Sequence, residues 1–141
     1  MEALQIKPFA IDASINVIRF KATAFPAGIM AAYEKLDEVV PDVTKRKHYG
    51  FSQPNSKGEI EYWAGVEQLP SDNGNYFGLE PFTIVTGNYQ SILVTDFKSN
   101  PFLLRQAFKT LTALPEIDPN GYCLEMMLSQ TDVLCLVRVL Q

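Results

Sequence analysis

PFLLRQAFKTLTALP (101–115) has a proline at each end and a helical rhythm between them. Leu104, Phe108, Leu111 and Leu114 recur at intervals of three and four, which places them on one face of a helix. The chain carries the same rhythm earlier. Ile29, Tyr33, Leu36 and Val39 repeat it at a constant offset of 75 residues, after Pro26-Ala27-Gly28 and before Pro41-Asp42, with Glu34, Lys35, Asp37 and Glu38 mostly on the opposite face.

Strand signals lie outward from both helices. INVIRFKAT (15–23) precedes the first helix, and HYGFSQ (48–53) and EIEYWAGVEQ (59–68) follow it, flanking the turn-rich Pro54-Asn55-Ser56-Lys57-Gly58 as a hairpin. Pro70 to Gly78 is polar and reads as an exposed loop. YQSILVTDF (89–97) precedes the second helix, and YCLEMMLS (122–129) and DVLCLVRVL (132–140) form a second hairpin, Tyr122 standing 73 positions after Tyr49. Each strand-helix-strand-strand module also has one strand before it, LQIKPFAI (4–11) and FTIVTG (82–87).

The pattern predicts one α+β domain over 1–141, internally duplicated at about 1–68 and 79–141. Two pseudo-twofold-related modules would supply about eight mostly antiparallel strands and two amphipathic helices. Each module alone would expose an apolar sheet face, so pairing is expected to leave a central ligand cleft along the seam.

Bulk properties narrow the function. At 141 residues the chain can bury roughly 68–70% of its extended surface, without a metal or disulfide scaffold. It is 47% hydrophobic and 20% charged, and it contains no run approaching the ~20 apolar residues of a membrane span. MEALQIKPFAID at the N-terminus lacks the basic and apolar regions of a signal peptide, so a cytoplasmic protein is expected. Cys123 and Cys135 lie in apolar strand segments and read as free thiols. A net charge of −4 argues against direct nucleic-acid binding, and the one basic cluster, Lys45-Arg46-Lys47-His48, reads as a solvated turn. His48 is the only histidine, which excludes a multi-histidine metal site, and no phosphate loop or CxxC pair occurs. No cofactor or metal is expected.

One residue interrupts this plain picture. GYCLEMML (121–128) is apolar almost throughout, yet Glu125 sits in its middle. Cys123, Glu125 and Met127 alternate onto one strand face. With a two-residue hairpin loop at Gln130-Thr131, Glu125 would pair opposite Leu136 and share its face with Leu134 and Arg138. Arg138 would then be either its ion-pair partner or a group that reaches solvent and leaves the carboxylate desolvated. A desolvated carboxylate favours a ligand that brings positive charge. Aromatic rings add about 0.5–2 kcal/mol for a cation over their faces. Tyr33, Tyr49, Phe51, Tyr62, Trp63 and Phe108 are the candidates for such walls, each also readable as core or surface packing.

HYGFSQ…EYWAGVEQ, GLEPFTIVTGNYQSILV and PEIDPNGYCLEMML together resemble the GyrI-like small-molecule-binding domains, which also occur as effector-binding domains of AraC-type and MerR-type bacterial transcription regulators. The resemblance covers nearly the whole chain, with Gly87 and Tyr89 matching a glycine–x–tyrosine turn and Glu125 matching the family's glutamate. It implies an aromatic-lined cavity in which Glu125 meets a cationic or polar lipophilic ligand. Two positions depart from the family pattern: Met127 stands where an aromatic is common, and Ala113 where a tryptophan is common. A flexible thioether implies a roomier or softer pocket.

The expectation is therefore a stand-alone effector-binding protein for a lipophilic, cationic small molecule. Glu125 would read the charge, with Met127, Cys123, Tyr62, Trp63, Tyr33, Tyr49, Phe51, Phe108 and Leu136 around the ligand. The two modules leave no stretch for a helix-turn-helix, so a regulatory role would need a protein partner. A hydrolase of cyclopropane-bearing electrophiles, with Glu125 activating water, and a protein–protein inhibitor such as a gyrase modulator are the alternatives.

Overall fold

The computed structural model describes residues 4–140 and contains eight strands and two helices, an α+β fold. The chain divides into two compact units, one from Ser14 to Val85, the other from the described residues up to Ala13 together with those from Thr86 onward.

In the Ser14–Val85 unit, four antiparallel strands run in the order β3 (His48–Pro54), β4 (Ile60–Glu67), β2 (Ile15–Lys21), β5 (Glu80–Ile84). Helix α1 (Ile29–Val39) packs on β4 and β2, burying Ala32 and Leu36 against Ile18, Ala64 and Val66. Removing a leucine of that size from water contributes about 2 kcal/mol. Gly28 precedes the helix where a Cβ would come within 2.8 Å of the Ala24 carbonyl, so a larger residue would force the incoming turn apart.

The other unit repeats the plan. Its antiparallel order is β1 (Ile6–Ile11), β6 (Gly87–Val94), β8 (Val133–Arg138), β7 (Cys123–Met127), and helix α2 (Phe102–Thr112) covers β6 and β8. Ala107 and Leu111 are its buried residues, 75 positions after Ala32 and Leu36, so the spacing read from the sequence recurs as equivalent buried positions. The hairpins keep the 73-residue offset: Ser52 faces Tyr62 in the first, and Glu125 faces Cys135 in the second.

Three details differ from the sequence reading. Each additional strand joins the opposite half of the sequence, β1 pairing with β6 and β5 with β2, so the units interleave along the chain. FTIVTG does not form one strand, because β5 stops at Ile84 and Gly87 opens β6 with φ +147°, a conformation that favours glycine. Arg46 is not solvated. It lies 4% exposed, its Nη1 and Nη2 donating to both carboxylate oxygens of Asp72 at 2.7 Å, with further bonds to the carbonyls of Pro41 and Glu67. Asp72 also accepts from the Leu69 N–H, so the loop expected to be exposed contributes a buried carboxylate.

Candidate functional site

The register of β7 and β8 determines what surrounds Glu125. Met127 pairs with Val133, and the connecting turn is closed by Leu128 N–H donating to the Asp132 carbonyl at 3.0 Å. Ser129 Oγ accepts from the N–H groups of both Thr131 and Asp132 at 3.1 Å, which holds a wider turn than Gln130-Thr131 alone. The pairing is thereby displaced by one residue. Glu125 stands opposite Cys135, not Leu136, and a one-residue displacement moves every side chain of β8 to the other face.

Glu125 accordingly shares its face with Cys123, Met127, Val133, Cys135 and Val137, the face on which α2 brings Phe108 and Leu111. The carboxylate is half-buried, and the β7 and β8 residues that share its face are apolar or sulfur-bearing. Its effect on Cys135 is direct: burial chiefly, then the charge of Glu125, push that thiol well above its ordinary value. Arg138 and Leu136 belong to the reverse face. Arg138 Nη1 donates to Asp118 at 3.2 Å and Nε to the Thr86 carbonyl at 3.4 Å, its guanidinium filling the space that Gly87 leaves without a Cβ. The hairpin ion pair between Arg138 and Glu125 does not form. Leu136 is fully buried with Leu124 opposite it and is no part of the Glu125 surface.

The aromatic candidates of the Ser14–Val85 unit separate onto two faces. Under α1, Tyr33 Oη donates to the Tyr49 carbonyl at 2.9 Å and lies 2.9 Å from Tyr62 Oη, which therefore donates to it. Phe25 stacks on Tyr62 at 6.0 Å between ring centres, and His48 stacks on Tyr33 at 6.5 Å. His48 Nδ1 donates to the Arg46 carbonyl at 2.9 Å. Phe25 is 44% exposed, and sequence reasoning missed it. Its only signal is an aromatic just before Pro26, outside any periodic segment.

Tyr49, Phe51 and Trp63 point the other way. Tyr49 and Phe51 are buried, and burial raises the Tyr49 phenol above its usual range. Trp63 is half-buried with the Arg19 guanidinium carbon 4.4 Å from its ring centre. The sequence offered Trp63 as the wall of an opening or as wet surface, and the structure stacks a cation of the chain itself against it. An open hollow of about 480 Å³ in the same unit is lined by neutral groups, Asn16, Gln68, Tyr76, Pro81, Phe82 and Thr83, and so contains no charge-reading side chain.

The structure thus brings Glu125, Cys123, Met127 and Phe108 to one face and Tyr33 with Tyr62 to another. It sets Leu136, and separately Tyr49, Phe51 and Trp63, on reverse faces. Among the described residues no three His, Cys, Asp or Glu side chains could hold a metal ion, and no helix is long and apolar enough to cross a membrane.

No protein-family profile and no curated protein matches the chain. Solved structures do. An integron cassette protein from the mobile metagenome of Vibrio cholerae is similar with a TM-score of 0.68 at 16% identity, over 97% of both chains. A protein solved bound to tetraphenylphosphonium is similar with a TM-score of 0.65 at 12% identity, over 97% of this chain and 94% of that one. A protein from Staphylococcus aureus, described as a bacterial transcription regulation protein, reaches 0.57 at 12% identity, over 96% and 98%. At these identities the likeness is one of fold.

Proposed function

We propose that this protein binds a lipophilic, positively charged small molecule as a GyrI-like effector-binding domain. Glu125 reads the charge, and Cys123, Met127 and Phe108 form the apolar surroundings. The observation that carries the reading is the placement of one half-buried carboxylate on an apolar, helix-covered strand face from which the register removes Arg138. A negative charge held partly out of water is screened less than one on the surface, so an approaching cation is attracted to it more strongly. The solved neighbour carrying tetraphenylphosphonium supports the ligand class. The neighbour described as a transcription regulation protein supports a regulatory setting.

The test is a thermal-shift comparison of tetraphenylphosphonium with neutral triphenylphosphine oxide, on wild type and Glu125→Gln. The cation should stabilise the wild type more than the neutral compound, and the variant should lose that difference. Equal shifts by both compounds in the wild type would refute charge reading at Glu125.

A further inference from the structure

Arg19 lies on β2 between Gly65 of β4 and Glu80 of β5. Its guanidinium carbon stands 3.8 Å from the centre of the Phe82 ring, 4.4 Å from Trp63 and 5.2 Å from Phe51. Glu80 Oε1 accepts from Nε and Nη2, each at 2.7 Å. The Arg19 side chain is only 11% exposed, while Glu80 is 52% exposed. Gly65 makes the arrangement feasible, because a Cβ there would come 2.9 Å from the Phe51 ring and 3.4 Å from Arg19 Cβ.

Three ring faces and a carboxylate around one cation constitute an aromatic cage. Ring quadrupoles attract any cation that fits, whichever molecule supplies it. Glu80 is largely in water, so solvent screens part of its attraction for the guanidinium. We infer that Phe51, Trp63, Phe82 and Glu80 form a cation site of the quaternary ammonium or guanidinium class, in which Arg19 is a resident competitor for external ligands. Arg19 thereby keeps the site's affinity low, and its departure opens the site. This inference extends the cation preference proposed above to a second place, made wholly from residues of the Ser14–Val85 unit, and does not depend on Glu125.

Trp63 is the only tryptophan, so tryptophan fluorescence comes from a wall of this cage. Choline and its neutral analogue 3,3-dimethyl-1-butanol would be titrated into wild type, Arg19→Met, and Arg19→Met with Phe82→Leu, each checked for cooperative melting by circular dichroism. Arg19→Met should bind choline about tenfold tighter than wild type and ignore the neutral analogue, and Phe82→Leu should cancel the gain. Should Arg19→Met not fold, Arg19→Lys serves, because an occupant lacking the planar guanidinium should compete less well and still raise choline affinity. Choline affinity that is unchanged or weaker in the folded Arg19 variant, or an equal response to the neutral analogue, overturns the inference. Glu125→Gln in the Arg19→Met background separates the two proposals: the Trp63 signal should persist there even if tetraphenylphosphonium recognition is lost, and its disappearance would count against the cage.

Discussion

Glu125 and Cys135 face each other directly across the β7–β8 ladder, and the carboxylate adds its charge to the burial that keeps the thiol protonated. Cys123, two residues from Glu125 on the same face, is half-buried, whereas Cys135 is wholly buried. In the folded protein at pH 8, iodoacetamide should label Cys123 while leaving Cys135 untouched, and both should react in denaturant. Mass spectrometry of the alkylated chain checks this. Labelling of Cys135 first, in folded protein, would contradict the β8 orientation described above.

The Arg46–Asp72 pair yields a stability prediction. Removing one partner leaves the other charge buried without compensation, so Asp72→Asn should cost about 3 kcal/mol in urea unfolding. Arg46→Met combined with Asp72→Leu should recover much of that loss, because an apolar pair leaves no buried charge. The pH dependence has a definite sign. The hydrogen bonds from Arg46 hold the Asp72 carboxyl below the usual carboxylate range, against the opposing effect of burial. Its contribution is therefore fully present above the unfolded value of about 3.9 and is lost as pH falls through the lower folded value. Below pH ~4 the wild type should lose its advantage over Asp72→Asn.

Gly87 offers a local test of how Arg138 is held. A Cβ at this position would sit 2.8 Å from Arg138 Nε, on a backbone with φ +147°. Gly87→Ala should destabilise the protein by more than about 1 kcal/mol. In an Arg138→Ala background the steric part of that cost should disappear and the backbone part remain. Thermal denaturation of the four proteins measures the coupling.

Much of the fold was legible from apolar spacing. Leu36 and Leu111 occupy equivalent buried positions because the helical period is a property of the local sequence. The pairing of β1 with β6 and of β5 with β2 was not legible, since Ile6–Ile11 and Glu80–Ile84 carry strand propensity without any mark of their partner. At the candidate site, the grouping of Cys123, Glu125 and Met127 follows from strand alternation alone. The placement of Leu136 and Arg138 failed because one serine hydroxyl, that of Ser129, widens the turn by a residue and reverses the opposing strand. Arg46 and Asp72 are 26 residues apart, and nothing in either neighbourhood announces the other. Trp63 stands out in the sequence between Glu61 and Gly65. The cation it meets comes from Arg19, on a strand whose register only the fold supplies.

Whether Glu125 receives the positive charge of a lipophilic ligand is decided by a crystal structure of the protein with tetraphenylphosphonium. The phosphorus should lie within about 6 Å of the Glu125 carboxylate, on the strand face that α2 covers. A fully occupied ligand bound elsewhere, with Glu125 making the same contacts as in the free protein, would rule out that role for Glu125.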